Sequence, residues 1–254
     1  MNRPAVLFDE SHCEQCACGE GLDFRLTFAF QPIVDMATRS VFAYEALVRG
    51  PEGQGAWEIL QKVDKKNRYA FDQVCRVRAV ALAARLNMQT YLSINFMPNA
   101  VYKAEYCIRT TLAAAKKYKF DTRKIIFEMI EDEALTSPEH LISIMDAYNG
   151  MGFQTALDDF GAGYSRFSLL IASPPHFLKL DMSLIRDIDQ QPNKQAVIRG
   201  ILETMRHLNV RVIAEGVETQ GEYDWLKEQG ISLYQGYLFA KPGFECLPEP
   251  YYPD

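Results

Sequence analysis

Polar side chains close a series of short apolar runs in this sequence. Glu45 follows Val41-Phe42-Ala43-Tyr44, Asn95 follows Leu92-Ser93-Ile94, and Glu128 follows Ile125-Ile126-Phe127. Asp158 and Asp159 end Thr155-Ala156-Leu157, while Lys179 and Asp181 lie in Phe177-Leu178-Lys179-Leu180-Asp181. Glu215 ends Val212-Ile213-Ala214, and Gln235 lies in Leu233-Tyr234-Gln235-Gly236. A charge beside apolar chain is costly unless it is paired or bound to metal. One such carboxylate is commonly a solvated loop residue; a whole series in register is not explained that way. Oxygen donors from Glu, Asp and Asn select Mg²⁺ or Mn²⁺ over zinc or copper. Asp158-Asp159 can serve two ions about 3.5–4 Å apart, as in two-metal phosphoryl hydrolysis. Lys179 among the acids should stay protonated and orient a water or stabilise negative charge. The chemistry that fits is metal-assisted hydrolysis of a phosphorylated ligand, with the substrate left open.

The runs that carry these residues read as strands: Leu26–Val34, Val41–Val48, Tyr91–Phe96, Lys124–Ile130, Gln154–Asp158, Phe177–Asp181, Arg211–Glu215 and Leu233–Leu238. Helical patterns fall between them at Phe71–Leu86, Val101–Tyr118, Pro138–Tyr148, Lys194–Leu208 and Gln220–Gln229. Ser137-Pro138 and Thr219 are helix starts, and Gly150, Gly152 and Gly230 are helix stops. Strands alternating with helices predict a TIM-type (β/α)8 barrel, with an ordinary open α/β sheet as the alternative. Asp35–Ser40 is too short for a parallel crossover, so the first two strands should form an antiparallel hairpin within a modified barrel. In a barrel the strand ends converge on one face, where active sites of this fold are built.

The chain has 254 residues, 48% hydrophobic and 24% charged, which suits a folded domain with a sizeable core. Residues 1–22 read as a separate Cys-containing leader and residues 23–254 as the barrel. No apolar run exceeds Ala79–Ala84, so membrane insertion is not expected. A net charge of −6 argues against duplex nucleic acid as a partner. Cysteine usage suits a reducing compartment, and a cytoplasmic location is expected. His12, Cys13, Cys16 and Cys18 offer soft ligands, but their spacing is too compressed for a standard zinc pair, and a redox-prone leader is the plainer reading. His140, His176 and His207 read as surface or capping residues. Gly161 and Gly163 read as a loop that governs the adjacent aspartates. Tyr237 and Phe239 suit stacking on a base or a place in the core.

At these same residues the chain resembles the EAL-domain family of bacterial cyclic di-GMP phosphodiesterases. Glu45-Ala46-Leu47 stands in Tyr44-Glu45-Ala46-Leu47-Val48-Arg49-Gly50, preceded by Gln31-Pro32-Ile33-Val34. Ser93-Ile94-Asn95, Phe127-Glu128-Met129-Ile130-Glu131 and the run from Asp158-Asp159-Phe160-Gly161 to Ser165 follow in order. Lys179-Leu180-Asp181, Ala214-Glu215-Gly216-Val217-Glu218-Thr219 and Gln235-Gly236-Tyr237 complete the series.

The resemblance implies that Glu45, Asn95, Glu128 and Asp158 bind one metal, and that Asp158 and Asp159 help hold a second. Glu215 and Gln235 would reach metal or water, and Lys179 would contact the attacking water. Glu218 would support the site from behind, and Glu131 would anchor the loop after Asp159. Gln31 and Arg49 would contact the cyclic dinucleotide, with Leu47, Asn95, Asp181, Gln235 and Tyr237 lining its site. The implied reaction converts cyclic di-GMP to linear pGpG with Mg²⁺ or Mn²⁺ in a homodimer. Ala162 stands where the family more often has Thr, and Arg166 replaces a common small residue, which points to tuned rather than lost activity. A receptor that holds the dinucleotide or another protein without cleaving it is the alternative, as is a metal phosphodiesterase for another nucleotide.

Overall fold

Branched and aromatic side chains pack well on a pleated surface, and the apolar runs form strands accordingly. The computed structural model of the chain describes residues 22–130, 137–162 and 167–254. In chain order its strands are β1 (Thr27–Asp35), β2 (Ser40–Arg49), β3 (Tyr91–Phe96), β4 (Ile125–Ile130), β5 (Gln154–Phe160), β6 (Phe177–Leu180), β7 (Arg211–Ala214), β8 (Leu233–Tyr234) and β9 (Gly243–Phe244). Strands β2 to β8 pair in sequence and in parallel. Strand β1 runs antiparallel to both β2 and β8 and closes the ring. That closure excludes the open sheet. β9 adds a short rung outside, against Ala29 and Phe30.

The helices are α1 (Ala56–Leu60), α2 (Arg68–Arg85), α3 (Ala104–Cys107), α4 (Arg109–Tyr118), α5 (Pro138–Gly150), α6 (Phe167–Ala172), α7 (Met182–Ile185), α8 (Pro192–Leu208) and α9 (Gln220–Glu228). Ser137 Oγ accepts from the His140 N–H at the start of α5, ahead of Pro138. Thr219 and Glu222 cap each other's backbone N–H groups at the start of α9. The helix expected over Val101–Tyr118 is interrupted. Pro98–Ala100 forms a 3₁₀ turn, Val101 stays extended, and its carbonyl accepts from His140 Nε2 at 2.6 Å. The strand expected to reach Leu238 stops at Tyr234, because the chain turns back at Gly236.

Side chains alternate across a strand, so every second residue enters the barrel. Ile33, Ala43, Ile126, Ala156, Phe177, Ile213 and Leu233 form an apolar plug there. Two residues nearer the C-terminal mouth stand Glu45, Glu128, Asp158, Lys179, Glu215 and Gln235. On the reversed β1 the offset changes sign, and Gln31 falls level with Glu45. Thus a single period of two converts a hydrophobic floor into a polar layer. Outside the barrel, two larger clusters seat the helices on the strands.

One buried ion pair lies in that outer layer. Arg76 and Asp72 on α2 are paired, Arg76 Nη1 donates to Tyr148 Oη on α5 at 3.2 Å, and Asp72 Oδ1 accepts from Met97 N–H at 3.0 Å. The last bond pins the chain just beyond Asn95. At the opposite end of the barrel sequence, a Cβ on Gly236 would lie 2.0 Å from the Val217 carbonyl oxygen. Backbone cannot yield there as a flexible side chain would. Gly236→Ala is therefore expected to destabilise the fold by about 2 kcal/mol or more, read from chemical denaturation; a loss below about 0.5 kcal/mol would contradict the close approach.

Candidate active site

Register places the acids against one another. Glu45 stands opposite Gln31 and Ser93, Asn95 opposite Glu128, and Asp158 opposite Ile130. Strand β5 is irregular between Leu157 and Phe160, and Asp159 takes a left-handed backbone, φ +53°. Bulges of this kind re-aim side chains beside active sites. Here the kink lets consecutive aspartates serve one cavity, where regular alternation would send Asp159 to the outer face.

Lys179 is the hub. Its Nζ lies 2.7 Å from Glu215 Oε1, 3.0 Å from Glu128 Oε2 and Asp158 Oδ1, and 3.3 Å from Glu45 Oε2. Glu45 Oε1 accepts from Asn95 Nδ2 at 2.8 Å, and its Oε2 accepts from Gln235 Nε2 at 2.8 Å. Ser93 Oγ donates to Glu128 Oε1 at 2.5 Å. Ser93 carries no motif of its own; its position two residues before Asn95, on the same face of β3, is the signal that points to it. Gln235 Oε1 is buried and has no hydrogen-bond partner among the described residues.

Oxygens of Glu45, Glu128 and Asp158 lie within 4.8 Å of one another, as do those of Asp158, Asp159 and Glu215. Asp158 belongs to both sets and would serve both ions of a divalent pair. Fully ionised, five carboxylates less one ammonium carry a formal charge of −4, equal to the charge of two divalent cations reversed. Hard oxygen donors, a shared aspartate and an orphan acceptor beside them fit such a pair. Burial and the Glu45 charge hold Glu128 well above the usual carboxylate range despite Lys179. Burial likewise holds Glu215 high. For Glu45 burial is outweighed by Lys179, Gln235 and Asn95, so its carboxyl sits low. Burial opposes the Lys179 charge, but Asp158, Glu128, Glu215 and Glu45 outweigh it and push its pKa well up.

Asp159 is pushed up to about 6, first by burial and then by the charge of Asp158. A carboxyl raised in the fold favours folding while protonated, so this stabilisation is full below about pH 4 and is lost as pH rises through the folded value. Metal ligation needs the carboxylate. Mn²⁺ affinity is therefore expected to climb steeply between about pH 5 and pH 7 with proton release, measured by calorimetry in buffers of different ionisation enthalpy. An affinity independent of pH over that range would contradict the raised acid.

The EAL domain profile matches residues 22–242. The chain belongs to the EAL domain family. It is 49% identical to a standalone versatile EAL protein from Vibrio cholerae O395, solved in a c-di-GMP-bound form, with a TM-score of 0.89 over 91% of this chain and 98% of that one. BlrP1 from Klebsiella pneumoniae, solved as a manganese and cyclic di-GMP complex, is 33% identical, with a TM-score of 0.84 over 90% of this chain and 59% of that one. Among curated proteins, the blue light- and temperature-regulated antirepressor BluF of Escherichia coli K12 is 29% identical over 97% of this chain and 61% of its own length. The cyclic di-GMP phosphodiesterase PdeR of the same organism is 36% identical over 65% of this chain and 25% of its own length. The chain thus spans less than two thirds of the length of the first curated relatives it matches.

Residues of the EAL signature also occupy the rim. Glu45, Leu47 and Arg49 share one face of β2, stepping outward to the mouth, where Arg49 Nη1 meets the Val48 carbonyl at 2.8 Å. Asp181 follows β6 and caps α7, its Oδ1 accepting from Ser183 N–H at 2.9 Å. Gly161 has φ +101°, and a Cβ there would lie 2.4 Å from Leu184 Cδ1, so the start of the loop after β5 rests on α7. Glu218 does not join the carboxylate cluster. Its Oε2 pairs with Arg186 Nη1 at 2.8 Å on the surface. Tyr237 is half exposed in the turn after β8, whereas Phe239 is 3% exposed and packs against Tyr223 and Tyr234. Phe239 is a core residue, which removes it from base stacking. Glu131, Gly163, Arg166 and the leader residues His12, Cys13, Cys16 and Cys18 lie outside the described residues.

The described histidines, His140, His176 and His207, keep to structural roles. His207 meets Glu203 on α8, and His176 Nδ1 accepts from Thr155 N–H at 3.2 Å, with burial lowering its pKa. Among the described residues no helix is long and apolar enough to cross a membrane.

Proposed function

We propose that this EAL domain is a divalent-metal-dependent phosphodiesterase that hydrolyses cyclic di-GMP to linear pGpG. The observation that carries the reading is the set of five buried or half-buried acids at the barrel mouth, four of them in contact with Lys179. Glu45, Asn95, Glu128 and Asp158 would hold one ion, and Asp158, Asp159 and Glu215 a second. The donor set suits Mg²⁺ or Mn²⁺. Bound there, such ions neutralise phosphate charge and acidify water. Ser93 fixes the Glu128 carboxylate, and Asn95 and Gln235 fix that of Glu45. Lys179 stays cationic and holds the attacking water or the charge that develops on the phosphate oxygens. The side-chain Oε1 of Gln235, without a hydrogen-bond partner among the described residues, can accept from that water. Arg49 and Gln31 would meet the phosphates and bases of the dinucleotide, and Tyr237 offers a stacking surface at the rim. Glu218 would act from the rim through Arg186.

A homodimer belongs to the same proposal, supported by exposed Phe167 and Ile171 on α6, next to the loop that follows Asp159. So does a reducing, cytoplasmic setting, in keeping with Cys75 and Cys246, which form no disulfide among the described residues. A second reading draws on the relative named as an antirepressor: a receptor for the dinucleotide or for a protein that does not cleave what it holds. Incubating the protein with cyclic di-GMP and Mg²⁺ or Mn²⁺, with and without chelator, separates them. Metal-dependent pGpG is the expected product; tight binding without product over hours would favour the receptor.

A further inference from the structure

A (β/α)8 barrel normally covers each strand with the helix that follows it. Here β1 and β2 form a hairpin, so no crossover helix lies between them. The segment 243–254, beyond the 22–242 span matched to the family, runs along that hairpin as a strap. β9 pairs with β1, and the Glu245 N–H donates to the Phe28 carbonyl at 3.0 Å. Lower down, Tyr44 Oη donates to the Pro248 carbonyl at 3.0 Å. At the far end Arg39 donates to the carbonyls of Tyr252 and Pro253 at 3.1 and 3.2 Å and lies over the Tyr252 ring. Leu247 and Tyr252 pack onto the two outer cores.

The strap also touches the turn after β8. The Tyr251 N–H donates to the Phe239 carbonyl at 2.8 Å. The next carbonyl, that of Ala240, accepts from Gln31 Nε2 at 3.2 Å. Gln31 Oε1 in turn accepts from Gln235 Nε2 at 3.4 Å, and the same Nε2 donates to Glu45 Oε2 at 2.8 Å. An unbroken series of hydrogen bonds and peptide units therefore joins the strap to a carboxylate at the centre of the site. Tyr44, held by Pro248, immediately precedes that carboxylate in β2.

We infer that the C-terminal strap is a positioning element for Glu45, acting from Tyr251 through the 237–240 turn, Gln31 and Gln235. The inference rests on the reading of Glu45 as a metal ligand. Partners that orient a ligand commonly change metal affinity by about 10–100-fold when removed. The strap stands further back, and the lower end of that range is expected.

The test uses the full chain, titrated with Mn²⁺ by calorimetry. Tyr251→Pro deletes the one N–H that reaches Phe239, whereas Tyr251→Ala keeps it and removes only an exposed ring. Tyr251→Pro should weaken Mn²⁺ binding about 10-fold, and Tyr251→Ala should leave it within about twofold of wild type. Once Gln31→Leu has broken the relay, Tyr251→Pro should add less than about twofold, a non-additivity that general loosening would not produce. Wild-type affinity in Tyr251→Pro, equal losses in both Tyr251 variants, or full additivity with Gln31→Leu would each overturn the inference. Should Tyr251→Pro not fold, Tyr44→Phe decides: a loss of affinity in the same direction supports the strap, and wild-type affinity sinks it. A wild-type chain that binds no Mn²⁺ overturns both readings. One that binds Mn²⁺ yet cleaves nothing overturns the phosphodiesterase reading alone.

Discussion

Glu45→Gln is expected to lower kcat/KM for cyclic di-GMP by about 10³-fold or more, equivalent to about 4 kcal/mol of transition-state stabilisation. The substitution keeps shape and volume, so the loss reports chemistry and not packing. Glu45 receives Asn95 on one oxygen and both Gln235 and Lys179 on the other. A glutamine amide must turn its NH₂ toward donors on one side or the other, and it carries no charge to a cation. Mn²⁺ binding should weaken in parallel. Turnover within about threefold of wild type would remove Glu45 from the site.

Lys179→Met is expected to have the largest effect on stability. The ammonium is 1% exposed and lies within 3.3 Å of four carboxylates, so its removal leaves buried like charges facing one another. Deleting one side of a buried ion pair costs about 3–5 kcal/mol. Glu128 and Glu215, whose carboxyls are already raised, relieve part of this by holding protons. The deficit should therefore be greatest in chelator at about pH 8, smaller at about pH 5, and smaller again when Mn²⁺ supplies the missing positive charge. Denaturation curves at both pH values, with and without Mn²⁺, measure it. A deficit that neither acid nor metal reduces would show that Lys179 acts by packing instead. Activity should fall about 10²–10⁴-fold with metal present, the range for a group that moves or holds a proton in the transition state.

The sequence carried the barrel and its mouth for a physical reason. Each strand must bury an apolar residue in the floor and, two positions on, can present a polar one, so the strands announced both fold and site together. Ala43 with Glu45, Ile126 with Glu128 and Ile213 with Glu215 are such pairs. The hairpin of β1 and β2 was legible because six residues cannot make a parallel crossover. What was not legible came from tertiary context. α1, α6 and α7 are too short to show a helical period, and α7 exists because Asp181 caps it where the strand was expected to end. The left-handed backbone of Asp159, which aims a second aspartate at the cavity, has no signature in residue type alone. The strap is written in proline and aromatic residues without periodicity, and its bonds run mostly to backbone carbonyls. Glu218 is placed behind the acids by its motif position alone, and its carboxylate pairs with Arg186 at the rim.

The most direct test of the account is anomalous diffraction from crystals soaked in manganese. Two peaks about 3.5–4 Å apart are expected at the barrel mouth, one among Glu45, Asn95, Glu128 and Asp158 and one among Asp158, Asp159 and Glu215, with Lys179 displaced from the carboxylates it now contacts. No peak within coordination distance of these oxygens, at manganese concentrations that support turnover, would contradict it.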